Sequence, residues 1–181
     1  MVLQLLSQNL FHELVYFLWK EQEHYYLSTI SADGTPTLLS EIFNHDIRWS
    51  NQLTLFKTKN NRFLIFDESN GLFQLNVDNT VQYIPIENIV FDEEQPRKIN
   101  FIKEDKRGRL WLSIKNTFGV YQYEIASEQF KLFETPAKQA SIPRMWEDEI
   151  GNLLFGQSRS TLHPMFSNFY LLDEKGIWSD F

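Results

Sequence analysis

Cysteine is absent from the 181-residue chain. That removes thiolate chemistry, Cys-ligated zinc and disulfides, while leaving the compartment open, because many exported proteins also lack disulfides. No apolar run approaches the length of a membrane span. Met1 to Leu18 is rich in Leu and Phe but has no basic n-region and no small-residue cleavage site, and it is broken by Gln8, Asn9, His12 and Glu13. It does not read as a signal peptide. A protein with this sequence that acts outside the cytoplasm is expected to be a mature chain or a piece of a longer one. Basic residues are outnumbered, 17 Lys and Arg against 24 Asp and Glu, for a net charge of −7. Nucleic acid and anionic membrane both require a basic surface, so neither is expected as the main partner. The four histidines, His12, His24, His45 and His163, show no H-x-H or H-E-x-x-H spacing, and no Gly-rich phosphate loop or G-x-S-x-G elbow occurs. Neither a metal site nor a cofactor is expected.

Aromatics are abundant: sixteen Phe, seven Tyr and five Trp. Large flat side chains suit half-buried strands, where they pack across a pleated face. One stretch also occurs twice. Glu104-Asp105-Lys106-Arg107-Gly108-Arg109-Leu110-Trp111 returns 43 residues later as Glu147-Asp148-Glu149-Ile150-Gly151-Asn152-Leu153-Leu154, with Glu, Asp, Gly and Leu shared. A period of about 40–50 residues indicates one supersecondary unit used repeatedly.

In the third unit Ile99 to Glu104 reads as a strand, Asp105 to Gly108 as a tight turn and Arg109 to Ile114 as a second strand. Gly119 to Tyr123 and Phe130 to Phe133 follow as third and fourth strands. Four consecutive antiparallel strands form a meander, which is one propeller blade. The fourth unit repeats the plan, with a longer middle loop from Gln157 through Pro164. Pairing Tyr123 with Tyr170 and Phe130 with Ile177 implies a four-residue insertion. In the second unit, Arg62-Phe63-Leu64-Ile65 aligns with Leu110-Trp111-Leu112-Ser113, and Gly71-Leu72-Phe73 with Gly119-Val120-Tyr121. In the first unit, Tyr25 to Thr29 aligns with Leu110 onward. Residues 5–19 admit an amphipathic helix, from Leu6, Leu10, Leu14 and Leu18, or a strand. The repetition favours the strand. The expected architecture is an all-β propeller segment of about four four-stranded antiparallel blades, approximately 1–50, 51–88, 89–137 and 138–181; a β-sandwich of similar hairpins is the alternative.

The pattern of a strand, then E-D-x-x-G-x-L-W, an aliphatic, a small residue and a later G-[LV]-x-x-[YF], resembles the two-component regulator propeller repeat. Glu104, Asp105, Gly108, Leu110, Trp111, Leu112 and Ser113 carry it, with Gly119, Val120 and Tyr123. The fourth unit supplies Glu147, Asp148, Gly151, Leu153, Phe155 and Gly156. Leu6-Ser7-Gln8-Asn9 is similar to the L-S-x-N that opens such repeats. The resemblance implies the periplasmic sensor region of a bacterial histidine kinase or hybrid two-component system. It implies an oligosaccharide ligand, signalling through subunit rearrangement, and no catalysis in this segment. Kinase and membrane parts would belong to missing segments of a longer chain. Homodimerisation or association through blade edges is a further expectation. A propeller glycosidase or lyase is the alternative, as is a protein-interaction scaffold.

The acidic pairs look at first like general acid–base couples. Their recurrence just before a turn glycine assigns Asp105, Gly108, Asp148 and Gly151 to the turn scaffold, since an active site occurs once in a fold. Trp111 is assigned to the core between blades. Ligand contacts are expected where the copies differ. Lys115, Asn116 and Thr117 lie in the third unit's middle loop, and Gln157, Ser158, Arg159 and His163 in the fourth's. Trp146 stands where the third unit has Lys103, and is a further candidate.

Overall fold

The computed structural model describes residues 4–11, 14–22, 24–42, 47, 49–50, 52–91, 96–117, 119–124, 127–135, 141–158, 166–173 and 177–180. Among the described residues, sixteen strands form four sheets, each of four antiparallel strands in chain order. Blade 1 contains β1 (Gln4–Phe11), β2 (Leu14–Glu21), β3 (His24–Ile30) and β4 (Pro36–Ile42). Blade 2 contains β5 (Leu53–Lys57), β6 (Phe63–Asp67), β7 (Gly71–Leu75) and β8 (Val81–Ile84). Blade 3 contains β9 (Ile99–Glu104), β10 (Leu110–Ile114), β11 (Gly119–Glu124) and β12 (Gln129–Glu134). Blade 4 contains β13 (Ser141–Glu147), β14 (Leu153–Ser158), β15 (Phe166–Leu172) and β16 (Trp178–Asp180). Among the described residues no helix is long and apolar enough to cross a membrane.

The chain divides into two compact units. Met1–Ile84 with Phe91–Pro96 forms one, and Pro85–Val90 with Arg97–Phe181 forms the other. In the first, Tyr16, Leu18, Leu27, Leu55, Ile65 and Phe73 join blades 1 and 2 in one core, with Trp49 set edge-on to Phe73 at 5.0 Å. In the second, Trp111 and Val120 of blade 3 pack on Met145, Leu153, Phe155 and Leu172 of blade 4. Trp111 is fully buried, 5.7 Å from the Phe155 ring. Period-2 alternation makes this possible, because every second residue of a strand points to the same neighbouring blade. Strands such as β2, β10 and β14 are apolar on both faces, as sheets covered on both sides require.

The repeated acidic turn has a simple construction. Asp105 N–H donates to Arg109 O, Gly108 N–H donates to Asp105 O, and Gly108 has φ +77°. This is a β-turn followed by one left-handed residue, a hairpin closure that suits the strand twist. Asp148, Gly151 (φ +90°) and Asn152 reproduce it. So do Thr58–Arg62, with Asn61 at φ +60°, Asn76–Thr80, with Asn79 at +70°, and Ser31–Thr35, with Gly34 at +83°. Gly and Asn alternate there because both tolerate the left-handed region.

The structure corrects several alignments. Residues 5–11 and 14–19 are strand, but in two separate strands, so Tyr25 to Thr29 belong to the third strand of blade 1 and not to the counterpart of β10. The Lys57–Phe63 pair matches Glu104–Leu110, which places Leu64, not Phe63, at the position of Trp111. Leu112 faces Tyr121 and Phe155 faces Tyr170, so Tyr170 corresponds to Tyr121 rather than Tyr123. Trp178, opposite Leu172, stands where Phe130 does, in place of Ile177. The last three slips are of one or two residues, which loop length absorbs without changing which strands pair, whereas the first moves Tyr25 to Thr29 by a whole strand.

The connector after blade 2 covers an edge. Phe130 N–H donates to Pro85 O and Glu87 N–H to Phe130 O, both at 2.8 Å, while the Glu87 carboxylate accepts from Leu132 N–H. The outer strand β12 therefore has backbone partners that would otherwise be left to another chain.

Candidate functional site

The motif acids occupy two different positions in the blades. Asp105 is fully buried. Its Oδ1 accepts from the N–H groups of Arg107 and Arg109, each at 2.9 Å. Its Oδ2 accepts from Arg109 Nε at 2.6 Å and Trp111 Nε1 at 3.0 Å. Burial alone would raise the carboxyl's pKa. The hydrogen bonds from Trp111 and Arg109, together with the guanidinium charge, outweigh it and hold the group below its ordinary value. A carboxylate with four donors has no lone pair directed at a substrate. Asp148 forms the same turn with Ile150, Asn152 and the Asn152 side chain.

The glutamate of the motif has a role that sequence reasoning missed. Glu147, the last residue of β13, accepts from Lys106 N–H of the preceding blade with both oxygens at 2.9 Å, and Lys106 Nζ donates to Asp148 O. Blade 2 carries Lys57 at this position, and its Nζ lies 3.0 Å from the Tyr16 hydroxyl of blade 1 and over that ring. The end of the inner strand thus grips the preceding blade by different chemistry in each unit. Side-chain type gave no clue because the position, not the residue, is what repeats.

The loop between β10 and β11 is firmly built. Lys115 N–H donates to Lys98 O at 2.6 Å, and Thr117 Oγ1 donates to Ile114 O at 2.8 Å. Asn116 is exposed in the left-handed region at φ +64°, Lys115 is half-buried, and Thr117 is largely buried. Tyr121 lies beneath, and its hydroxyl is pushed up by burial, with Glu87 adding to the effect and Thr117 and Arg97 opposing it. Arg97, next to Lys98, has its Nε buried with no hydrogen-bond partner among the described residues. Arg97 and Lys98 stand outside the repeated motif. Their position before β9, beside the β10–β11 loop, is the signal that points to them.

Trp146 is exposed, with its ring 6.0 Å from Phe169. It sits on the blade 4 face turned away from blade 3. Along the strand it is level with Lys103, since Lys103 Nζ donates to the adjacent Met145 O. Lys115 lies at the opposite end of blade 3, so the structure does not bring these candidates together. Gln157 is not a loop residue: it lies within β14, buried, and accepts from the Tyr170 hydroxyl at 3.1 Å. Ser158 ends that strand. Arg159 and His163 lie outside the described residues. Among the described residues no group of three or more His, Asp or Glu side chains is arranged to hold a metal ion.

No protein-family model and no curated protein matches the chain. Solved structures do. The extracellular domain of the hybrid two-component system BT4673 from B. thetaiotaomicron matches over 98% of this chain at 18% identity and a TM-score of 0.60. That of BT3049 from the same organism matches over 98% at 13% identity and 0.59. Virginiamycin B lyase from Staphylococcus aureus matches over 98% at 12% identity and 0.62. The chain spans 22% and 24% of the two sensor domains and 55% of the lyase. Likeness at such identities is one of fold. It establishes the architecture that the strand order describes, a β-propeller segment of four four-stranded antiparallel blades of the kind found in extracellular sensor domains.

Proposed function

We propose that the chain is a ligand-recognising part of an extracellular or periplasmic two-component sensor, and that it binds an oligosaccharide without transforming it. The observation that supports this most directly is the loop end of blade 3. Arg97, Lys98, Lys115 and Asn116 gather there on backbone ties, and Arg97 Nε is a buried donor with no described partner. Fixed guanidinium and amide donors suit sugar hydroxyls or a uronic carboxylate. None of these residues belongs to the repeated turn, which the scaffold uses fully. Signalling follows if the ligand binds one subunit arrangement more tightly than another.

Calorimetry against a panel of neutral and acidic oligosaccharides tests the reading. A binding partner is expected whose affinity falls at least about tenfold in Arg97→Ala and Asn116→Ala, the loss of one or two charge-assisted or amide hydrogen bonds. No heat across the panel would sink it. Product release from a polysaccharide panel would replace it with the lyase or glycosidase alternative.

A further inference from the structure

Charge is divided between the two ends of the blades in the second unit. Glu104, Glu124 and Glu147 end β9, β11 and β13 at the end where the motif turns lie, beside Asp105 and Asp148. The cations of that end are used inside the fold. Lys103 Nζ donates to Met145 O, Lys106 Nζ to Asp148 O, and Arg109 Nε to the Asp105 carboxylate.

The opposite end of blade 3 is basic. Arg97 and Lys98 precede β9, and Lys115 follows β10 on the loop whose backbone is tied to Lys98 O. Among the described residues neither Arg97 nor Lys115 forms an ion pair, and Arg97 Nε is buried without an acceptor. The Arg97 charge opposes the upward push that burial gives the Tyr121 hydroxyl, so the guanidinium lies near that hydroxyl at the base of the loop. Glu87 also acts on Tyr121, but its carboxylate already accepts from Leu132 N–H. Glu134 closes the outer strand β12 at this end. These groups all belong to the second unit. Asp92, Glu93 and Glu94, which precede Arg97 in the sequence, lie outside the described residues. A carboxylate or a sulfate can satisfy a guanidinium with two oxygens and opposite charge, whereas a sugar hydroxyl offers one neutral acceptor.

We infer that the group recognised at this end of blade 3 is anionic, a uronic carboxylate or a sulfate ester of an oligosaccharide. Arg97 holds it in a fork, and Lys98 and Lys115 supply the surrounding positive charge. The inference rests on the ligand-binding reading above and narrows it to one class of sugar. The acidic turn end repels such a ligand, which directs its approach to the basic end.

Calorimetry on the full chain with matched pairs of sugars is the test: trigalacturonate against its methyl ester, and a sulfated galactan tetrasaccharide against its desulfated form. The acidic member of at least one pair binds at least about tenfold more tightly than its neutral partner, the gain from charge-assisted over neutral hydrogen bonds. The pair that shows the gap separates carboxylate from sulfate. Raising the salt from about 50 mM to 200 mM weakens the acidic member alone. Arg97→Lys keeps the charge but loses the fork, and weakens acidic binding about tenfold. Lys115→Gln, on the loop, weakens it about threefold and reports on the site even if the Arg97 variant misfolds, which far-UV circular dichroism checks. Neutral members that bind as tightly as acidic ones overturn the inference and leave the oligosaccharide reading standing. Acidic binding that salt, Arg97→Lys and Lys115→Gln all leave unchanged overturns it too, because the anion then sits elsewhere. No heat from any of the four sugars overturns the inference, and silence across the wider panel overturns the reading beneath it.

Discussion

The turns at Asp105–Arg109 and Asp148–Asn152 share a backbone, a motif and their main-chain hydrogen bonds, yet the two aspartates live in different surroundings. Asp105 is sealed under Trp111 and Arg109, whereas Asp148 is exposed and takes its extra donor from Asn152. The difference arises from what lies over each blade. Blade 4 covers the Trp111 face of blade 3, its Glu147 holds Lys106, and Trp111 closes over the acid below. The equivalent face of blade 4 carries Leu154, which has no indole N–H to give. A shared local sequence thus sets the turn, and the neighbouring blade decides whether its acid is a surface cap or a buried anchor.

Trp111→Ala attacks the covered side directly and should cost about 3–5 kcal/mol, the range for emptying a large aromatic site. Leu154→Ala, at the matching but half-buried position, should cost about 1 kcal/mol. Urea unfolding of both variants measures the gap, and equal losses would mean that the two faces are equally buried. Asp105→Ala comes next, at about 2–3 kcal/mol, because it strands the Trp111 indole and the Arg109 guanidinium. Asp148→Ala should shift the midpoint far less, since water can accept from the exposed N–H groups of Ile150 and Asn152.

Gly108→Ala and Gly151→Ala should behave alike, each losing about 1–2 kcal/mol. Both have positive φ, and an added Cβ meets nothing closer than 3.5 Å, so strain in the backbone is the whole effect. Gly→Asn at either position should recover most of it, as Asn61 and Asn79 do natively. Desolvation would raise both carboxyls, but the hydrogen bonds of each turn hold them below their ordinary value, so pH acts with the same sign on both aspartates. The folded-state pKa of Asp105 is lowered, so its stabilisation is complete above the ordinary value of 3.8 and is lost as pH falls through the lower folded value. Asp105→Asn should therefore flatten the loss of stability below that point in an acid titration monitored by tryptophan fluorescence. Glu147→Gln should show the smallest change, about 0.5 kcal/mol, because the amide oxygen still accepts from Lys106 N–H.

Much of the fold was legible because turn chemistry and alternation are local. Asp or Thr at the first turn position and Gly or Asn at the fourth mark the hairpins, and the runs between them are too apolar for surface strands. Register was less legible. The shift of Phe63 against Trp111, and of Tyr123 against Tyr121, came from loops whose length is free to vary while strand pairing is held by packing. Gln157 looked like a loop residue because Gln is polar, but the Tyr170 hydroxyl satisfies it inside β14. Among the candidate ligand residues, Lys115 and Asn116 were visible as departures from the repeat. Arg97 was not, since only the tie between Lys115 and Lys98 brings its segment beside that loop.

Local sequence was sufficient for strands, turns and their order, because each depends on a few dihedrals and on which side chains alternate. Tertiary structure decided which of two matching motifs is buried and which polar groups gather at one end of a blade. Those properties depend on the atoms of a neighbouring blade about 40 residues away along the chain, and no pattern within a single repeat contains them.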